Sequence, residues 1–122
     1  MSKNRLFDAI QPFIRYCRDM QDAIIIVEGT RDRQTLQELG ILNLVVVKGG
    51  KSVDEVIDLI DERKRVIILT DFDKEGKRLR REFKRRIQRH KGIIIDSFAR
   101  HFLYKVCRER GVTEIENLDR LF

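Results

Sequence analysis

A three-layer α/β/α fold, Rossmann-like, with helices on both faces of a mainly parallel four-stranded sheet, follows from two features of the sequence. Four short apolar runs recur, Ala23-Ile24-Ile25-Ile26-Val27, Leu44-Val45-Val46-Val47, Val66-Ile67-Ile68-Leu69-Thr70 and Ile93-Ile94-Ile95, and helical patterns lie between them. Strands of a parallel sheet are covered on both faces and read as unbroken Val/Ile/Leu runs. Strands alternating with helices imply β-α-β units joined by right-handed crossovers.

The elements follow in order. Leu6, Ile10, Phe13, Ile14 and Cys17 repeat at three and four residues and predict an amphipathic helix over about 3–20. Pro12 removes one backbone bond and crowds the carbonyl of Asp8, so a kink or a fresh start near Gln11 is expected. The first strand is expected over 23–28. Leu36 and Leu39 then mark a helix that stops at Gly40. A second strand covers 44–47. Ser52 and Glu55 form a capping box that opens a helix of about 53–63 carrying Val56, Ile57, Leu59 and Ile60. The third strand is 65–70, and a long basic helix fills about 75–90. Gly92 breaks that helix before the fourth strand, Asp96 or Ser97 caps a helix with Phe98, Phe102, Leu103 and Val106, and a short last helix holds Ile115, Leu118 and Leu121. The chain of 122 residues reads as one domain, 1–122, with helices before and after the sheet.

Composition excludes several classes. Charged residues make up 38% and hydrophobic ones 42%, with apolar runs of about five residues, so no membrane span or leader is expected and the protein is read as cytoplasmic. Cys17 and Cys107 form no metal or redox pair and are expected as core thiols. Basicity is concentrated. Lys74 to Lys91 holds ten Lys or Arg against Glu75 and Glu82, a net of +8, so against a formal total of +6 the remainder of the chain carries −2. Only Leu79, Phe83 and Ile87 form an apolar stripe there, and most of the circumference is cationic. A solvated surface helix usually mixes Glu with Lys. Here the signs are not balanced, which favours contact with a polyanion backbone, RNA or DNA, without sequence readout.

Glu28 ends the first apolar run, and Asp71 and Asp73 follow the third. Three carboxylates at strand ends gather on the rim where open α/β sheets place their chemistry. They suit a hard cation such as Mg²⁺, which takes oxygen ligands and retains waters. Acids at such positions also cap helices. The metal reading is favoured because three coincide with Gly29 and Gly76, which allow close backbone approach. Other signals are weaker. Gly49-Gly50-Lys51-Ser52 resembles the end of a P-loop, but Val45 stands where the motif needs glycine, leaving Ser52 as a cap and Lys51 as a phosphate contact or solvated side chain. His90 and His101 lack ligand spacing, and Asp96 reads as a helix cap. Asp-x-Asp after a strand is also known in haloacid-dehalogenase phosphatases, a pattern that leaves Glu28 unexplained.

Val27-Glu28-Gly29-Thr30-Arg31-Asp32 followed by Asp71-Phe72-Asp73-Lys74-Glu75-Gly76 resembles the two signature motifs of the Toprim domain, found in topoisomerases, bacterial-type primases, small nucleases and recombination proteins. The resemblance spans about residues 22–95, and the chain's length is similar to that of the small stand-alone Toprim proteins of archaea and bacteria. It implies that Glu28 is the catalytic glutamate and a ligand with Asp71 and Asp73 of one or two Mg²⁺ ions, with Mn²⁺ able to take their place. Asp32 and Glu75 match accessory acids. Thr30 stands where the family frequently has Lys, so phosphate contact passes to Arg31 or Lys74, with Lys51, Lys77, Arg78, Arg81 and Arg85 as further backbone contacts. Topoisomerase activity needs a tyrosine on a separate gate domain, whereas Tyr16 and Tyr104 both fall in predicted helices. A full primase needs more chain. What the resemblance leaves is a Mg²⁺-dependent nuclease acting on RNA or DNA, or a non-catalytic nucleic-acid-binding or partner-dependent accessory module. Leu6, Phe7, Phe13, Leu118, Leu121 and Phe122 are expected either to cover the sheet or to form a protein-partner surface.

Overall fold

The computed structural model describes residues 3–47, 52–63, 65–90, 92–116 and 118, the side chains of 3–7 and 61–63 excepted. Its elements are α1 (Lys3–Asp19), β1 (Ile24–Val27), α2 (Thr30–Glu38), β2 (Leu44–Val46), α3 (Val53–Arg63), β3 (Arg65–Ile68), α4 (Lys74–Ile87), β4 (Ile94–Asp96) and α5 (Phe98–Glu109). All three strand pairings are parallel, in the order β2-β1-β3-β4. The expected fold class is the one observed.

Side-chain alternation along the strands divides the core into two layers. Ile25, Val27, Ile67 and Leu69 face a cluster with Ile10, Phe13, Ile14 and Cys17 of α1, Leu36 of α2 and Leu103 and Cys107 of α5. Ile24, Ile26, Val66 and Ile68 face the opposite layer, made by Val56, Ile57 and Ile60 of α3 with Phe83 and Ile87 of α4. The register agrees: Ile25 opposes Leu44 and Ile67, so like faces meet across the sheet. Among the described residues no helix is long and apolar enough to cross a membrane.

Boundaries differ from expectation by one to three residues, the largest difference being α4, expected to about residue 90 and ending at Ile87. The third strand was expected to reach Thr70, but β4 pairs only with Arg65–Ile67. Leu69 still donates to the Ile26 carbonyl at 2.8 Å, so the ladder to β1 outlasts the ladder to β4. The expected fresh start at Pro12 is absent, and α1 runs through it. Pro12 and Asp8 are both exposed, so the carbonyl that loses its partner lies on the watered side. Gly40 ends α2 as expected, at φ +86°, with its N–H on the Gln37 carbonyl and that of Ile41 on Leu36, a Schellman closure. Ser52 caps α3, its hydroxyl accepting from the Glu55 N–H at 3.2 Å.

Both cysteines are buried free thiols, and burial pushes each up to about 12. Phe13 and Leu118 are buried in the first core layer and so are not available to a partner. Lys51, Gly49, Gly50, Leu121 and Phe122, and the side chains of Leu6 and Phe7, lie outside the described residues.

Candidate metal centre and cationic flank

The chain winds outward from β1 to β2 through α2 on one face, then crosses back to β3 and on to β4 on the other side of β1. Adjacent helices therefore leave the carboxyl ends of β1 and β3 in opposite directions, opening the crevice that doubly wound sheets use for ligands. Glu28 stands directly after β1, and Asp71 and Asp73 stand in the segment joining β3 to α4. One carboxylate oxygen of each lies within 4.8 Å of those of the other two. The starts of α2 and α4 open onto the same crevice.

Each acid is held by a backbone donor. Glu28 accepts the Asp71 N–H at 2.9 Å, Asp71 accepts the Ile115 N–H at 2.7 Å, and Asp73 caps α4 by accepting the Gly76 N–H at 2.8 Å. Capping and metal binding are thus compatible, because a carboxylate has two oxygens and about four acceptor positions. Asp32 reaches back to the Gly29 N–H at 2.9 Å and is buried beside the cluster. Glu75 points elsewhere, pairing with Arg78 on the exposed side of α4.

The cluster resists holding its full charge. Burial pushes Asp71 up to about 7 against the pull of the Ile115 N–H, and repulsion from Asp32, Glu28 and Asp73 adds to the rise. Asp32 is also raised, first by burial, with Glu28 contributing. The donor set, all hard carboxylate oxygen in a partly dehydrated crevice, could hold a hard divalent cation.

Gly76 is required by this packing. A Cβ there would lie 1.9 Å from the Asp71 carbonyl oxygen, so the first turn of α4 rests directly on the Asp71 backbone. Thr70 closes the same contact by donating its hydroxyl to the Gly76 carbonyl at 2.6 Å. Gly29 is different: a Cβ would meet only Asp32 Oδ2, at 3.8 Å, an ordinary contact. Close approach therefore explains one of the two glycines.

Sequence reasoning passed over Arg100, which is 8% exposed. Its Nη1 donates to the carbonyls of Ile68 at 3.3 Å and Thr70 at 2.5 Å, and its Nη2 to that of Asp71 at 3.1 Å. These carbonyls lie beyond the last residue of β3 paired with β4, so the guanidinium takes the place of strand partners. It also stacks on Phe72, 4.7 Å from the ring centroid. Burial, with the neighbouring Arg80 cation, lowers Arg100 to about 10. A sequence signal existed: Arg100, Leu103 and Cys107 share one helical face, so the arginine sits in an apolar stripe.

The basic helix is not uniform. At 100° per residue, Gly76, Arg80, Phe83 and Ile87 fall on the inward face, while Lys77, Arg81 and Lys84 fall on one flank and Glu75, Arg78, Glu82 and Arg86 on the other. Both acids lie on the second flank. There Arg78 pairs with Glu75 at 2.7 Å, Arg85 with Glu82 at 3.0 Å, and Arg86 with Glu82 at 2.9 Å and Asp54 at 3.4 Å. Arg78 and Arg85, two expected nucleic-acid contacts, are therefore partly neutralised. Lys77 and Arg81 form no ion pair among the described residues. Lys74 and Arg31 are exposed in the first turns of α4 and α2. His90 and His101 are exposed and apart from the acids, and Asp96 caps α5 by accepting the Ala99 N–H at 3.1 Å while Tyr16 donates to its other oxygen.

Comparison with known proteins agrees with this architecture. The Toprim domain family model matches residues 23–98, close to the span its two motifs suggest. A UPF0292 protein of Methanocaldococcus jannaschii is 30% identical over 121 residues, covering 97% of this chain and 93% of its own. Ribonuclease M5 of Mycoplasma genitalium is 29% identical over 98 residues, covering 78% of this chain and 53% of that protein. A solved structure of a protein from Aquifex aeolicus has the same fold, with a TM-score of 0.75 at 24% identity over 88% of this chain and 96% of that one. The match to residues 23–98 takes in all four strands and all three clustered acids, and this chain belongs to the Toprim domain family.

Proposed function

We propose that this protein is a Mg²⁺-dependent phosphoryl-transfer protein acting on nucleic acid, a small nuclease of RNA or DNA processing. The convergence of Glu28, Asp71 and Asp73 at the switch point of the sheet carries the reading. The cationic flank of α4 beside them and the similarity to ribonuclease M5 support it.

Glu28, Asp71 and Asp73 would hold the metal. Bound there, Mg²⁺ supplies neutralisation of anionic phosphate oxygens and polarisation of the phosphoryl group. The chain's own residues do the rest. Lys77 and Arg81, with Lys74 and Arg31 at the helix starts, draw the phosphate backbone to the crevice by charge. Glu28 takes a proton from the attacking water or returns one to the leaving oxygen. Backbone donors on all three acids fix their orientation before substrate arrives, so positioning does not await binding.

The test is Mg²⁺-dependent cleavage of structured RNA and of single- and double-stranded DNA by wild type, Glu28→Gln and Asp71→Asn. Cleavage by wild type alone supports the reading. Binding without cleavage of any substrate, unaltered by Glu28→Gln, replaces it with a non-catalytic nucleic-acid-binding module.

A further inference from the structure

Beyond the acid cluster, the same rim of the sheet carries a cavity of about 460 Å³ between the first turns of α4 and α5. Lys77, Arg80, Arg81 and Arg100 line it, with Phe72 and Tyr104 as its aromatic wall. Phe72 separates Asp71 from Asp73, so the cavity and the acids share one short segment of chain. No carboxylate lines the cavity. Among the described residues none of its four cations has an ion pair, and Arg80 Nε is buried without a hydrogen-bond partner. A buried guanidinium nitrogen lacking an acceptor is costly, and two neighbouring guanidiniums repel each other. An anion in the cavity would offset the repulsion between these cations.

We propose that this cavity binds the terminal nucleotide of a nucleic-acid strand through its phosphate monoester. The inference rests on the nucleic-acid reading above and extends it to a substrate class. Charge favours an end over the middle of a strand, because a monoester carries close to two negative charges at neutral pH where an internal diester carries one. Shape favours it too. The volume suits a nucleotide rather than a bare phosphate, and Tyr104, set edge-on to Phe72 at 5.4 Å between ring centroids, offers a base or sugar an aromatic contact. An end held here lies beside the three acids, so the bond presented to them belongs to the terminal region of the strand. Ends bearing the phosphate at the 5′ or the 3′ carbon share this chemistry, and the measurement separates them.

The experiment is fluorescence anisotropy in EDTA with a short single-stranded RNA and its DNA counterpart, each bearing a 5′-phosphate, a 3′-phosphate or hydroxyls at both ends. Wild type should bind one phosphorylated form about tenfold more tightly than the hydroxyl form, as expected for one charge-assisted contact set. Arg80→Gln should abolish that preference, Arg80→Lys should recover part of it, and Arg86→Gln, on the paired flank, should retain it. Thermal melting checks that Arg80→Gln folds, and Arg81→Gln is the second variant if it does not. Equal affinity for all three ends in wild type, or a full preference surviving in folded Arg80→Gln, overturns the proposal. Cleavage without end preference removes this inference alone, and end preference without cleavage removes the nuclease reading alone.

Discussion

Glu28, at the end of β1, accepts the backbone N–H of Asp71 from beyond the end of β3 across 2.9 Å. One side chain thus joins the two central strands at the point where the acids gather, and its structural and charged roles can be separated. Glu28→Ala leaves a buried N–H without its acceptor and should destabilise the fold by about 1–3 kcal/mol in urea titrations. Glu28→Gln keeps an acceptor oxygen and should melt near wild type, yet lose the rise in Tm that MgCl₂ gives the parent.

The raised Asp71 predicts an inverted pH dependence. In the fold it ionises at about 7, and in the unfolded chain at about 4. Between those values the folded state holds a proton the unfolded state has released, so its contribution to stability falls as pH rises through 4 to 7. Without metal, Asp71→Asn should match wild type below pH 4 and exceed it above pH 7, by at least about 3 °C in Tm. Saturating Mg²⁺ should reverse the order at the higher pH, since the ion stabilises the charged carboxylate. Parallel melting curves across the range would defeat the prediction.

Gly76→Ala tests the contact between α4 and Asp71. With only 1.9 Å available to the new methyl, the helix start must move. The expected loss is about 3 kcal/mol, at the upper end of overpacking costs, seen as a lower urea midpoint. Because Asp73 caps this turn through the Gly76 N–H, Mg²⁺ affinity measured by calorimetry should fall as well.

The two flanks of α4 should differ in salt dependence. Arg81→Gln removes a cation with no ion-pair partner among the described residues and should reduce the slope of log affinity against log salt by about one. Arg86 is engaged by Glu82 and Asp54, so Arg86→Gln should change the slope by much less. Filter binding at several salt concentrations distinguishes the outcomes.

Strands were legible because both faces are buried: Ile25, Ile26 and Ile67 lie in unbroken apolar runs, and their alternation between two cores needs no polar marker. The three acids were legible because they end those runs. What escaped notice was charge turned inward. Arg80 and Arg100 look like ordinary members of basic helices, and only their helical phase, shared with Phe83 and with Leu103, distinguishes them. Nor does local sequence show that Arg100 serves carbonyls some thirty residues earlier, since that need arises from β4 being shorter than β3. Pro12 misled for the opposite reason: a local rule for breaking helices yields where the orphaned carbonyl faces water.

The strand order has one more consequence. Both acid-bearing strands are interior, flanked by β2 and β4, whose residues are partly exposed while Ile25, Ile26 and Ile67 are fully covered. Opening of a sheet begins at its margins, and amide hydrogens there exchange through low-energy local fluctuations. Val46 and Ile95 should therefore exchange well before Ile26 and Ile67, so the two strands that lead into the acids should be among the last parts of the fold to open.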